Sequence, residues 1–130
     1  MIVVDASVVF DFLLRTADSA RIESRFVDAG FRLHAPEMLP IEVISALGRQ
    51  QRHRGVLPKD GECIEDLHIL PVTLHSHLQF ARRVWQLRHN VSAYDALYIA
   101  LAESLDAPLL TRDRRLAAPS KAHKARIEVI

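Results

Sequence analysis

Ser92-Ala93-Tyr94-Asp95-Ala96-Leu97-Tyr98-Ile99-Ala100-Leu101-Ala102 opens a stretch, residues 92–105, that is apolar on nearly every side. A helix of that kind belongs in the interior of a layered fold rather than on its surface. Pro108-Leu109-Leu110 follows as a short strand, and Ile2-Val3-Val4, at the start of the chain, is a β-branched run suited to a buried strand. Between them helical and strand patterns alternate. Helices are expected over residues 7–14, 19–29, 40–52, 59–67 and 78–88, and strands over 31–35 and 71–74. Gly30 and Gly55 close the second and third helices, and Pro40 suits a first turn, where no amide hydrogen is needed. A short helix over 114–118 and a last strand over 127–130 complete the pattern. Such alternation predicts an α/β layered domain with a mainly parallel sheet.

The 130 residues are most simply one domain, 1–130, with a single sizeable core. Apolar residues at 49% and charged residues at 25% exclude a disordered chain. No run approaches the ~18 uncharged apolar residues of a membrane span. Asp5 interrupts the first apolar stretch and no basic region precedes it, so no signal peptide is read and a cytoplasmic location is expected. The single cysteine, Cys63, excludes an intramolecular disulfide and reads as a small apolar filler on a helix.

A net charge of +1 does not by itself announce a polyanionic partner, but the bases are clustered. They lie in Arg49-Gln50-Gln51-Arg52-His53-Arg54, in Arg82-Arg83 with Arg88-His89, in Arg112-Asp113-Arg114-Arg115, and across residues 121–126. Each cluster alone reads as a solvated helix end. Around an acidic pocket, together, they would suit an anionic substrate held at a metal.

The acids supply that pocket. Asp5 ends the first strand, Asp113 follows the strand at Leu109-Leu110-Thr111, and Glu42 and Asp95 sit inside apolar helical segments. No Lys or Arg lies within two positions of Asp5, Glu42 or Asp95. A buried carboxylate without a partner costs several kcal/mol. Each has a plainer reading: Asp5 and Asp113 as helix caps, Asp95 three residues after Ser92 as half of a capping box, Glu42 as an early-turn acid. In a parallel sheet, however, ligands bind outside the carboxyl ends of the strands, and all four acids can reach that end. Four oxygen donors without local cations suit a hard divalent ion such as Mg²⁺. Ser7 and Thr111 stand close enough in sequence to orient a carboxylate or a bound water.

Other chemistries are poorly served. His75-Ser76-His77 has no third ligand nearby for zinc, and four glycines form no phosphate-binding loop. No nucleophile elbow or Cys–His pair is present.

Val3-Val4-Asp5-Ala6-Ser7-Val8, Pro40-Ile41-Glu42-Val43-Ile44-Ser45-Ala46-Leu47, the segment from Ser92 to Ala102, and Leu110-Thr111-Arg112-Asp113 together resemble the PIN domain. Within it the similarity is to the VapC toxins of bacterial and archaeal toxin–antitoxin pairs, and it runs from Ile2 to the final strand. The resemblance implies a three-layer α/β/α fold and an Mg²⁺- or Mn²⁺-dependent endoribonuclease acting on structured RNA such as tRNA or ribosomal RNA. It also implies a homodimer neutralised by a VapB-like antitoxin whose tail occupies the acidic groove. It carries the catalytic and metal-binding positions over to Asp5, Glu42, Asp95 and Asp113, with Ser7 and Thr111 in support. The chain departs from the family at Arg112, where many relatives have a small residue, and at Arg114 and Arg115, where some have another polar or acidic one. Asp113 is therefore expected either to support the other ligands or to belong to a weaker second metal site, and Arg112 and Arg114 to face substrate phosphates. The rival readings are a PIN nuclease of RNA processing and a metal-dependent RNA-binding module without catalysis. A receiver-type acidic pocket would need an acid at Thr73-Leu74-His75, which has none.

Overall fold

The computed structural model describes residues 1–55, 61–118 and 121–130. Five strands form one sheet: β1 (Ile2–Val4), β2 (Leu33–Pro36), β3 (Val72–His75), β4 (Leu109–Thr111) and β5 (Ile127–Val129). Their order is β3-β2-β1-β4-β5, and every pairing is parallel. The expected mainly parallel sheet is thus wholly parallel. Its register sets Val3 beside both His34 and Leu109. The central strands β1 and β4 are buried at every position, whereas the edge strands β3 and β5 are partly exposed. That gradient explains why only the central runs are continuously apolar in sequence.

Six helices surround the sheet: α1 (Ala6–Leu13), α2 (Ser19–Asp28), α3 (Leu39–Arg54), α4 (Glu62–Ile69), α5 (Ala81–Leu87) and α6 (Ala93–Leu105). Helices α2, α3 and α4 all pack against α1, while α6 lies across β1, β2 and β4 with α5 against it. Right-handed crossovers place these two groups on opposite faces, which gives the three-layer α/β/α arrangement. As its composition requires, α6 buries Ala96, Tyr98, Ile99, Ala100, Leu101 and Ala102. Gly30 ends α2 with φ 61° and Gly55 ends α3 with φ 79°, backbone settings that a side chain resists. Cys63 is buried on α4, its thiol directed at the Leu13 carbonyl, consistent with the filler role.

Three expectations need revision. The helix over 78–88 starts as a 3₁₀ turn at Leu78–Phe80 before α5. Lys59 and Asp60, at the start of the fourth expected helix, lie outside the described residues; α4 itself runs two residues farther than expected. The short helix over 114–118 is instead a pair of tight turns, with Leu116 N–H donating to the Asp113 carbonyl and Ala118 N–H to that of Arg115. Among the described residues no helix is long and apolar enough to cross a membrane.

The chain winds from β1 outward to β3, then returns across the sheet to β4. The strand order therefore reverses between β1 and β4. In open parallel sheets the crevice for a ligand opens at that reversal, beyond the carboxyl ends of the two strands. Asp5 follows β1 there and Thr111 ends β4.

Candidate active site

Asp5 is the N-cap of α1. One carboxylate oxygen, Oδ1, accepts from the Ser7 and Val8 backbone N–H groups at 2.9 and 3.1 Å and from the Ser7 hydroxyl at 2.5 Å. The other, Oδ2, accepts from the hydroxyl of fully buried Thr111. Burial lifts the Asp5 carboxyl above the ordinary carboxylate range despite these donors. Ser7 and Thr111 thus both donate to the Asp5 carboxylate. Arg112 N–H donating to Ser7 Oγ at 3.2 Å stitches the two β–loop junctions together, and Asp113 N–H donating to Thr111 Oγ1 at 3.0 Å tightens the turn after β4.

Glu42 projects from the first turn of α3, where Pro40 sits at the helix start. Its Oε2 accepts a 2.5 Å hydrogen bond from the Tyr98 hydroxyl. Burial raises the Glu42 carboxyl, and the charges of Asp5 and Asp95 raise it further. Asp95 lies in the first turn of α6, held by the N-cap Ser92, whose hydroxyl donates to Asp95 Oδ2 at 2.8 Å and accepts from Asp95 N–H at 3.1 Å. The Ser92–Asp95 pair is thus a cap of α6, and from that helix start the Asp95 charge also acts on Glu42. Tyr98, one turn after Asp95, is buried, and its hydroxyl is raised by burial and by Glu42. Its hydroxyl donates to Glu42, and its oxygen is in turn reached by the Ala6 backbone N–H.

Asp113 stands apart. Its carboxylate is gripped by Arg115 through the backbone N–H at 2.8 Å and the guanidinium at 2.6–3.2 Å, which holds it below the usual range. Arg115 also lies within electrostatic reach of Asp95. Arg112 places its guanidinium on Asp11 (2.6 Å) and Asp18 (2.5 Å), so its charge is balanced within the protein, while Arg114 is exposed on the turn. His75 pairs with His34 across β2 and β3 at 3.0 Å, on the β3 side of the sheet rather than at the β1–β4 reversal.

Two contributors escaped the sequence reading. Tyr98 shared the Asp95 face of α6 by its i, i+3 spacing, a signal that was available. Asp11 had no such signal, since only the fold brings it to Arg112. Burial raises Asp11, and the Arg112 charge pulls it back.

Asp5, Glu42 and Asp95 thus bring carboxylates from three elements to one end of the sheet. Among the described residues no three His, Cys, Asp or Glu side chains are arranged to hold a metal ion as they stand. Their chemistry nevertheless fits a hard cation: the donors are all oxygen, two are raised by burial, and Glu42 feels two like charges. An ion such as Mg²⁺ keeps several waters and needs only one or two direct carboxylates, so a loose cluster suffices.

The family profile described as PIN domain matches residues 2–122. Ribonuclease VapC3 of Mycobacterium tuberculosis (strain ATCC 25618 / H37Rv) is 39% identical over 118 residues, covering 89% of this chain and 85% of that protein. Ribonuclease VapC12 of the same organism is 35% identical over 131 residues, covering 100% and 99%. Among solved structures, a protein from Pyrobaculum aerophilum superposes with a TM-score of 0.69 at 24% identity, over 98% of this chain and 83% of its own. Mycobacterium tuberculosis VapC20, a sarcin-ricin loop cleaving toxin, does so with a TM-score of 0.61 at 13% identity, over 95% and 100%.

Proposed function

The chain belongs to the PIN-domain family, and on that premise we propose that it is a metal-dependent endoribonuclease toxin restrained by a VapB-like antitoxin. Relatives named as VapC ribonucleases over nearly their full length support the ribonuclease reading. What supports it in the fold is that Asp5 follows β1 at the β1–β4 reversal and that Tyr98, one turn after Asp95 on α6, reaches Glu42 on α3 at 2.5 Å.

In this reading Asp5, Glu42 and Asp95 would hold Mg²⁺, with Mn²⁺ able to substitute, and Asp113, clamped by Arg115, would add negative charge at the margin. An ion held there would supply Lewis-acid activation of water and charge compensation at a phosphodiester. The chain's own residues supply the frame. Ser7 and Thr111 fix both oxygens of Asp5, so that carboxylate has one orientation. Tyr98 fixes one oxygen of Glu42, and Ser92 one of Asp95. Pre-set donors of this kind avoid reorganisation at the moment of reaction.

The test is cleavage of total cellular RNA by purified protein, with Mg²⁺ or Mn²⁺ against EDTA and unmodified chain against Asp5→Asn. Discrete fragments only with metal and only with the unmodified chain are expected. RNA bound but left intact would instead identify a binding module. Growth arrest on expression without an antitoxin, relieved by co-expressing one, separates a toxin from a nuclease of RNA processing. Size measurement of the purified chain checks the expected homodimer.

A further inference from the structure

Beside the carboxylates, between α1 and α3, runs an open groove of about 630 Å³ lined by Phe10, Ile41, Glu42, Arg49, Tyr94 and Arg112 among others. That volume is in the range of small-molecule sites and ample for one nucleotide. Two features set it apart from an ordinary surface crease. Tyr94, adjacent to Asp95 at the start of α6, leaves 66% of its surface in water, and Ile41, adjacent to Glu42, leaves 69%. Each large apolar side chain thus flanks a site carboxylate in sequence and overhangs the groove in space. The two arginines also differ. Arg112 is neutralised by Asp11 and Asp18, whereas Arg49 is anchored only by the neutral Ser45 hydroxyl at 2.9 Å and has no ion pair among the described residues. Arg49 follows Glu42 by two helical turns, roughly 10 Å along α3.

We propose that this groove seats the nucleotide flanking the scissile phosphate of a single-stranded RNA segment, the Tyr94 ring stacking on its base and the Arg49 guanidinium binding its backbone phosphate. The inference rests on the nuclease reading and extends it to the substrate's conformation. An acidic centre repels a polyanion, so the strand needs a cation at its flank whose charge the protein has not already used, and within the groove Arg49 is such a group. A base can reach an exposed ring only when it is unstacked from its neighbours, which selects loops, bulges and single strands over duplex. Stacking is tolerant of base identity, so the groove positions RNA more than it reads sequence.

The experiment is equilibrium binding of a short, fluorescein-labelled, unstructured RNA in EDTA, where metal-dependent cleavage does not proceed, with cleavage in Mg²⁺ run in parallel. Tyr94→Ala is expected to weaken binding roughly five- to a hundred-fold, the worth of one base–aromatic stack, and Tyr94→Phe to stay within about twofold of the unmodified chain. Arg49→Ala is expected to weaken binding and to lower the slope of log affinity against log salt by about 0.7, which Tyr94→Ala leaves unchanged. A duplex of the same sequence is expected to bind Tyr94→Ala and the unmodified chain alike. Both side chains are exposed at the surface, so unchanged melting temperatures are expected and serve as the folding control.

Binding by Tyr94→Ala and Arg49→Ala equal to the unmodified chain, alongside normal cleavage, would overturn the groove while leaving the nuclease intact. Dependence on both residues without any cleavage by metal-loaded protein would keep the groove and reject the nuclease. Equal losses in Tyr94→Ala and Tyr94→Phe would point to a hydroxyl contact and overturn stacking. No binding by the unmodified chain overturns the proposal outright.

Discussion

The Tyr98 hydroxyl donates to Glu42 Oε2 at 2.5 Å, and that bond joins α6 on one face of the sheet to α3 on the other. The two helices meet at the sheet's carboxyl end, so the bond both closes the layers and fixes a site carboxylate. The same economy recurs at Asp5, which caps α1 while facing Glu42, and at Ser92, which caps α6 while holding Asp95. Helix starts are where backbone N–H groups lack partners and carboxylates are welcome. Three helices that begin at one end of a parallel sheet therefore bring their acids to that end.

Tyr98→Phe removes the donor and keeps the ring. Hydrogen bonds to charged groups contribute about 1.5–3 kcal/mol, and Glu42 is partly buried, so a loss of about 1–2 kcal/mol in denaturant unfolding is expected. In Glu42→Gln the same substitution is expected to cost less, because a neutral amide replaces the carboxylate. Equal losses in both backgrounds would mean that the ring's packing, not the bond, responds.

Asp5→Asn and Asp5→Ala separate cap from chemistry. Asparagine is as good an N-cap as aspartate, so Asp5→Asn is expected to melt within a few degrees of the unmodified chain while losing RNA cleavage. Asp5→Ala forfeits the cap bonds from Ser7 and Val8 and is expected to lose about 1 kcal/mol more. Full cleavage by Asp5→Asn would remove Asp5 from the site.

How far the sequence reached can be judged residue by residue. Asp5, Glu42 and Asp95 were legible because each sits at a junction that local pattern identifies, a strand end or a helix start. The placement of β4 beside β1 was not, since it depends on pairing across more than a hundred residues. The 114–118 segment misled because Asp113 looked like an ordinary cap. Its carboxylate instead captures the Arg115 backbone and guanidinium together, and Ala118 precedes a proline, which steers that residue away from helical geometry. Rotamer-level facts such as the Arg115 grip and the Arg112 pairing with Asp11 leave no trace in a linear pattern.

Arg112→Ala tests whether that arginine serves substrate or scaffold. Its guanidinium lies on Asp11 and Asp18, and the Asp11 side chain is only 14% exposed. The variant is expected to lose on the order of 1 kcal/mol of stability, screened in part by solvent, with little change in the salt slope of RNA binding. A slope lowered as far as in Arg49→Ala, with unchanged stability, would instead make Arg112 a phosphate contact.

Protons and metal compete for the same oxygens, so acidity gives a test that needs no RNA. Burial lifts Asp5 above its ordinary 3.8 and Glu42 above its ordinary 4.5. Folding therefore favours their protonated forms, and each carboxylate subtracts from stability progressively as the pH rises from its ordinary value through its raised folded-state value. Lowering the pH from neutral through those raised values relieves the penalty and is expected to raise the melting temperature of the metal-free chain. Below that range the sign reverses. Glu103, held down by Arg83, and Asp113, held down by Arg115, stabilise the fold only while ionised, and that contribution is lost as the pH falls through their own lowered values. An ion at the three carboxylates would remove the neutral-pH penalty, since it binds the charged forms. At a hundred times its dissociation constant it would add about 2.7 kcal/mol. Mg²⁺ is therefore expected to raise the melting temperature most at neutral pH and progressively less on acidification, an effect abolished in Asp5→Asn with Glu42→Gln. Calorimetry with and without Mg²⁺ across that range reads it directly, and a shift independent of pH, or one surviving the double substitution, would place the ion elsewhere.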